Sequence, residues 1–319
     1  MKWLLCALLV PMALPVLAGD AAFSPDGKLV HVVPGQGAKL WTVNVADGKV
    51  TTVDLAKELG ADDAVKAIAP GPKGTYWIAS RLTVWQWSPT ERKLEKHATL
   101  KGSEIFDLAY NPAGETILIT GEFGEAEPYQ TGVRALARGE KEFAEPKLGL
   151  TEVVAPVFDR EGRFYFRHES DLWVGRAVEG SDDVAFNAFR AAPLGNVLSE
   201  GGELGASKII SAIAPTGKGI YVAMSNLVEA ELIFLPQPAT GKAPGALKDA
   251  WKRMTASLQS LSVVPIKGSI SAISALCASP DGAQLFFRAD EEDGAKKFRL
   301  LETKSGKMRT IGDAPKEKE

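Results

Sequence analysis

The side chains able to do chemistry are few and scattered. His31, His97 and His168 are the three histidines. They fall in three different repeat units, and no two stand at the spacing of metal ligands. "RHESDLW" gathers His168, Glu169 and Asp171 at a hairpin, which reads as a solvated turn. "ADEEDGAKK" sets Asp290, Glu291, Glu292 and Asp293 before Gly294. Calcium wants such oxygens, but the alternating ligands and closing glutamate of a calcium loop are missing, so a hairpin tip is expected. "GSDDVAF" (Asp182, Asp183) reads the same way. Cys277 has no histidine nearby in sequence to lower its pKa, and it reads as a small buried hydrophobe. "VPGQGAKLW" leads into a strand, whereas a phosphate loop needs a helix to follow. Gly-x-Ser-x-Gly, Ser-x-x-Lys and His-Glu-x-x-His motifs are absent from the sequence.

The elements that would position these residues follow a repeat. Glycines 27, 74, 114, 162, 217 and 282 sit in "AAFSPDGKLVHVV", "AIAPGPKGTYWIA", "DLAYNPAGETILI", "APVFDREGRFYFR", "SAIAPTGKGIYVA" and "ALCASPDGAQLFF". Each is a short apolar run, a turn ending in glycine, and a second apolar run. Proline presets φ early in the turn and glycine accepts the positive φ that reverses the chain. A third run follows with bulky side chains at Trp41, Trp85, Trp87, Trp173, Phe234 and Phe298. A polar turn such as "ADGK" or "KSGK" then leads to a fourth. Four antiparallel strands recurring every 40–65 residues make propeller blades. The residues five before each glycine are Ala22, Ala69, Ala109, Val157, Ala212 and Cys277. They are small, as inner strands converging on an axis require.

"SPDGAQLFFRADEEDGAKKFRLLETKSGKMRTIG" resembles the WD-repeat-like motif of TolB-type propellers, and "AAFSPDGKLVHVVPGQGAKLWTVNVADGKVTTVDL" resembles it with Pro34-Gly35 in place of the acidic hairpin. The middle four blades match only in turn and strand pattern. The resemblance implies a fold and says little about activity. The expected architecture is all-β: one six-bladed β-propeller of four-stranded antiparallel blades over residues 19–313, with a charged tail at 314–319. The interval from Gly217 to Gly282 has room for a seventh blade, but no second glycine turn lies within it. Leu247, Trp251, Met254 and Leu258 recur there at helical spacing, predicting a short helical insertion near 245–258. Lys248, Lys252 and Arg253 on it read as a solvated face. Segments 195–207 and 241–260 are the irregular loops on which a propeller could carry function.

Lys2 followed by the apolar run Trp3–Leu17 and Ala18 is a secretory leader pattern with cleavage after Ala18. The run is short for a membrane span, and no later segment is long and apolar enough to be one. Of 319 residues, 37 are Lys or Arg and 40 are Asp or Glu, for a net charge of −3. That balance gives no reason to expect nucleic acid. With Cys6 removed in the leader, Cys277 would have no internal disulfide partner.

Residues just before the inner strands should gather at a channel rim: Asp63, Glu104, Glu152, Lys208 and Ser271. In lactonase-type propellers, which this architecture resembles, channel carboxylates and an asparagine hold a divalent cation; no matching asparagine stands in these columns. The expectation is a non-catalytic, exported binding platform, periplasmic or secreted, without a cofactor, for a protein, peptide or glycan partner. The alternative is a metal-dependent hydrolase or lactonase using those carboxylates. The oligomeric state and the binding face are not encoded in any motif.

Overall fold

A computed structural model describes residues 20–60, 63–150, 152–178, 184–194, 208–226, 229–238, 246–255, 262–266 and 268–316. The expected leader and the 195–207 loop lie outside these residues, as do Asp182 and Asp183. Six antiparallel sheets follow the chain in order. Blade I is β1 (Ala21–Phe23), β2 (Leu29–Val32), β3 (Lys39–Asn44) and β4 (Val50–Asp54). The four-residue helix α1 (Ala56–Leu59) leads to blade II: β5 (Ala67–Pro70), β6 (Tyr76–Ala79), β7 (Thr83–Ser88) and β8 (Lys93–Thr99). Blade III is β9 (Gly102–Asn111), β10 (Thr116–Phe123) and β11 (Gln130–Leu136). Blade IV is β12 (Val154–Phe158), β13 (Arg163–His168), β14 (Asp171–Ala177) and β15 (Phe186–Ala192). Blade V is β16 (Ile209–Pro215), β17 (Gly219–Ser225), β18 (Ala230–Pro236) and, after helix α2 (Ala246–Thr255), β19 (Ser262–Val264). Blade VI is β20 (Ile270–Ala278), β21 (Gln284–Glu291), β22 (Lys296–Glu302) and β23 (Met308–Asp313).

The count is six, and the long interval in blade V holds the expected helix. Leu247 and Trp251 of α2 are buried against blades IV and V. Blade III departs from the four-strand plan. Ala144 pairs antiparallel with Ala135 on β11, exchanging both backbone hydrogen bonds (2.8 and 2.9 Å). The next such pair would match Val133 with Pro146, and proline has no N–H to give. The Val133 carbonyl instead accepts from Nη1 of Arg134 at 2.8 Å, and the fourth strand stops.

The turns between first and second strands show why "SPDG" recurs. In blade I the Ser24 hydroxyl donates to Asp26 Oδ1 (2.6 Å) and accepts from Leu29 N–H (2.9 Å), while Gly27 takes φ +71°. Blade VI repeats this with Ser279, Asp281 and Gln284, and Gly282 at +69°. In blade III the left-handed residue is Glu115 (φ +48°), one position after the expected Gly114. There Asn111 Oδ1 accepts from Ala113 and Gly114 N–H and holds the turn.

The core lies between blades. Six apolar clusters fill the six interfaces, and the inner strands touch in the order β1, β5, β9, β12, β16, β20 and back to β1. Among the described residues the last interface closes the ring without a shared strand. Phe23 meets Phe286 edge-on (6.5 Å between centroids), and Trp41 meets Phe298 (6.2 Å). Arg309 Nη2 donates to the Val45 carbonyl at 2.8 Å, and Gly48 lies flat on the Ile311 carbonyl. A Cβ on Gly48 would fall 1.5 Å from that oxygen, at φ +70°. Gly37 has a similar φ of +71° but open space around it. In a thermal melt, Gly48→Ala should cost roughly 3 kcal/mol or more, against about 1 kcal/mol for Gly37→Ala. Equal costs would show that the blade I–VI contact does not hold the ring.

His31 belongs to the blade I–II interface. It is buried edge-on against Tyr76 (4.7 Å) and Trp87 (4.8 Å), with Nδ1 3.0 Å from the Thr42 hydroxyl. Burial lowers its pKa to about 4. The unfolded chain therefore takes up this proton first, near pH 6.5, and stability falls as pH drops from there toward 4. A His31→Phe variant should show a flatter stability profile between pH 6.5 and 4 in urea titrations; an unchanged slope would place the acid sensitivity elsewhere.

Candidate functional site

The six first turns surround one end of the axis and line a funnel of about 870 Å³. Pro25, Pro70, Pro112, Pro156, Pro215 and Pro280 contribute one proline from each blade, and Phe23, Tyr76, Tyr110 and Phe158 add aromatic wall. The small-residue column from Ala22 to Cys277 lies along its inner wall, as convergence of the strands demands. Cys277 differs from its expected state: it is half-buried rather than buried and borders the funnel. Desolvation by its apolar surroundings pushes its thiol pKa up.

Charged side chains at the funnel are largely bound within their own turns. Asp159 Oδ1 accepts from Glu161 and Arg163 N–H at 2.9 Å each, and Oδ2 accepts from Tyr165 Oη (3.0 Å) and from Arg163 Nε. Asp281 Oδ1 accepts from Ser279 and from Ala283 N–H (3.0 Å), and the Ser279 bond lowers its pKa. The funnel therefore offers chiefly apolar surface.

One layer further along the axis the chemistry reverses. Asp20, Asp107, Arg167 and Arg288 are all buried. Asp20 and Asp107 stand two residues before Ala22 and Ala109, and the matching positions in blades IV and VI are Ala155 and Ala275. Both alanines are left-handed bulges (φ +55° and +51°). The bulge at Ala155 brings its N–H to Asp107 Oδ2 (3.4 Å), which also accepts from Thr120 Oγ1 (3.4 Å). The bulge at Ala275 brings its N–H to the Asp20 carboxylate. Burial holds the Asp20 carboxyl well above the ordinary range; Asp107 adds to this and Arg288 opposes it. Arg167 donates from Nη1 to the Ile210 carbonyl (3.1 Å), and burial lowers its pKa against the pull of Glu152 and Asp107.

The residues expected at a channel rim all stand at the upstream ends of the inner strands, opposite the funnel. Glu104 is ion-paired with Lys66. Asp63 Oδ1 accepts from Ala64 N–H (2.8 Å) and Arg81 N–H (3.2 Å). Lys208 bridges Glu229 (2.9 Å) and Glu231 (2.8 Å). Ser271 donates to the Asp290 carbonyl (3.0 Å), and the Glu152 carbonyl lies 2.9 Å from His168 Nδ1. Among the described residues no three His, Cys, Asp or Glu side chains converge as a metal set. The "ADEEDGAKK" carboxylates form a hairpin tip, with Glu291 bound to Arg299 (2.6 Å) and Lys297 (2.7 Å). The buried charges were missed because they come from four different blades and no spacing along the chain joins them. Their signal is the Phe-Arg pair that ends both "RFYFR" and "QLFFR".

No family model and no curated protein matches the chain. Solved structures do match it in fold. TolB from Agrobacterium tumefaciens is 13% identical, with 87% of this chain and 89% of that one covered at a TM-score of 0.57. A calcium-binding regucalcin from the same organism is 15% identical, covering 88% and 84% at 0.55. A luciferin-regenerating enzyme is 10% identical, covering 88% and 86% at 0.57. The chain has the six-bladed β-propeller fold that TolB shares with those two proteins.

Proposed function

We propose that this chain is an exported, non-catalytic propeller that binds a protein, peptide or glycan partner in the periplasm or outside the cell. The axial funnel carries this reading. It is concave, walled from all six blades and mostly apolar, which is how ligand sites are built. Export rests on the leader pattern of residues 1–18. No helix among the described residues is long and apolar enough to cross a membrane. The hydrolase or lactonase alternative calls for free carboxylates that converge on a cation. Glu104 is held by Lys66, and Asp63 by backbone N–H groups, so neither reaches the axis uncommitted.

Val157 and Cys277 are the half-buried members of the inner column, so bulk added there enters the funnel. Val157→Trp and Cys277→Trp should each abolish capture of the partner from envelope extract while the melting temperature stays within about 3 °C of the parent. Capture unchanged in both folded variants would overturn the funnel as the site. Chelation of the purified protein should leave its melting temperature unchanged, and metal analysis should find no stoichiometric cation. A bound divalent ion whose removal lowers the melting temperature would favour the hydrolase reading.

A further inference from the structure

Six turn tips make the lip of the funnel, and their charges are unevenly spent. The carboxylates are engaged. Asp26 Oδ1 accepts from Ser24 Oγ (2.6 Å) and from Lys28 N–H (3.1 Å), and Glu161 pairs with Arg163 (3.2 Å). Asp281 is held in the same way by Ser279 and the Ala283 N–H. Lys73 in blade II and Arg160 in blade IV are exposed, line the funnel and form no ion pair among the described residues. Arg160 acts on Asp281 only through space.

Neither cation serves its turn. Arg160 stands where Pro25, Pro72, Pro112 and Pro280 stand in four other turns, and it gives up the preset φ that proline supplies there. Lys73 is left-handed at φ +53°, a conformation that glycine or asparagine takes at lower cost. Strain and lost turn chemistry at a concave surface point to a role outside the turn. The wall between the two cations is aromatic, with Tyr110 from blade III and Phe158 from blade IV. This sector of the lip is therefore an apolar step with a positive charge on either side.

We propose that the partner enters the funnel as a projecting acidic peptide segment: an apolar side chain packs between Tyr110 and Phe158, and flanking carboxylates meet Lys73 and Arg160. The inference rests on the funnel being the binding site. A glycan would need hydrogen-bonding groups in the bowl, and the polar side chains there bond to their own turns. A flat protein face would bridge the mouth and leave the roughly 870 Å³ below it unfilled. Exposed cations at a rim act mainly by steering the encounter, so their contribution belongs to the association rate and is screened by salt.

The probe is a random nonapeptide library displayed on phage, panned on the purified full chain at neutral pH and about 20 mM salt. Bound clones should be enriched in Asp or Glu adjacent to, or one residue from, an aromatic or branched aliphatic residue. Synthetic peptides from those clones should lose binding to Val157→Trp, with Cys277→Trp as the second block if the first does not fold. Lys73→Asn combined with Arg160→Gln keeps both turns and removes both charges. That chain should associate with the peptides about tenfold more slowly while dissociation changes little, and about 0.5 M salt should remove the difference. Clones that the added bulk blocks, but that carry no acidic excess or ignore the double substitution, would overturn the acidic segment and leave the funnel as the site. Clones that bind both tryptophan variants as well as the parent, or a panning that enriches nothing, would overturn the funnel reading and this inference with it.

Discussion

Everything in this molecule depends on closing a ring whose first and last blades share no strand among the described residues. Many hydrogen bonds could join them if a terminal strand crossed over, but β1 begins at Ala21 and pairs only with β2. The join is made by packing: Trp41 on Phe298, Phe23 on Phe286, and the bare backbone of Gly48 on Ile311. Apolar burial is non-directional, so it supplies cohesion without fixing register. Register at this interface comes from the polar contacts that flank the apolar patch. Arg309 reaches the Val45 carbonyl on the outer side, and Asp20 reaches the Ala275 N–H on the inner side.

The ring also explains why the axis has two chemistries. Inner strands all run the same way, so one end collects first turns and the other collects incoming connections. The turns are closed by short Ser, Asp, Asn and Thr side chains that bond back to their own backbone. Polar groups spent on turn geometry cannot also face a ligand, and the funnel is left with proline, aromatic and small apolar walls. The layer below carries buried charges because two alanine bulges turn backbone N–H groups toward neighbouring carboxylates. A left-handed alanine is strained by about 1–2 kcal/mol, and it persists only where a bond of this kind holds it.

The fold was legible because each blade advertises itself locally. A Ser-Pro-Asp-Gly turn needs its hydroxyl, its carboxylate and its left-handed glycine within four residues, and all three can be read from the string. The small-residue column was legible for the same reason, since convergence at the axis acts on one position per blade. Failures arose where one residue alters a neighbour's backbone. Pro146 ends the fourth strand of blade III through a missing N–H opposite Val133, a register that cannot be known before the Ala135–Ala144 pair is placed. Asp107 and the Ala155 N–H meet across a blade boundary because β12 bulges at Ala155. Neither partner signals the other along the chain. The expected rim residues stand at the upstream ends of their strands, where a lysine, two glutamates and backbone groups engage them in pairings that sequence spacing does not show.

The contrast between Glu104 and Asp20 bears most on what the axis can do. Both are carboxylates on or beside inner strands, and both need a positive partner. Glu104 has one in Lys66, one blade away, and is thereby spent as a ligand for anything else. Asp20 shares Arg288 with Asp290 and faces Asp107. In a propeller with convergent free carboxylates, such a residue would be the first of a cation set. Among the described residues no three His, Cys, Asp or Glu side chains converge as a metal set, and the guanidinium groups of Arg167 and Arg288 oppose a cation beside Asp20. The buried charges of this axis act on one another across blade boundaries, and the apolar funnel lies on the other side of them.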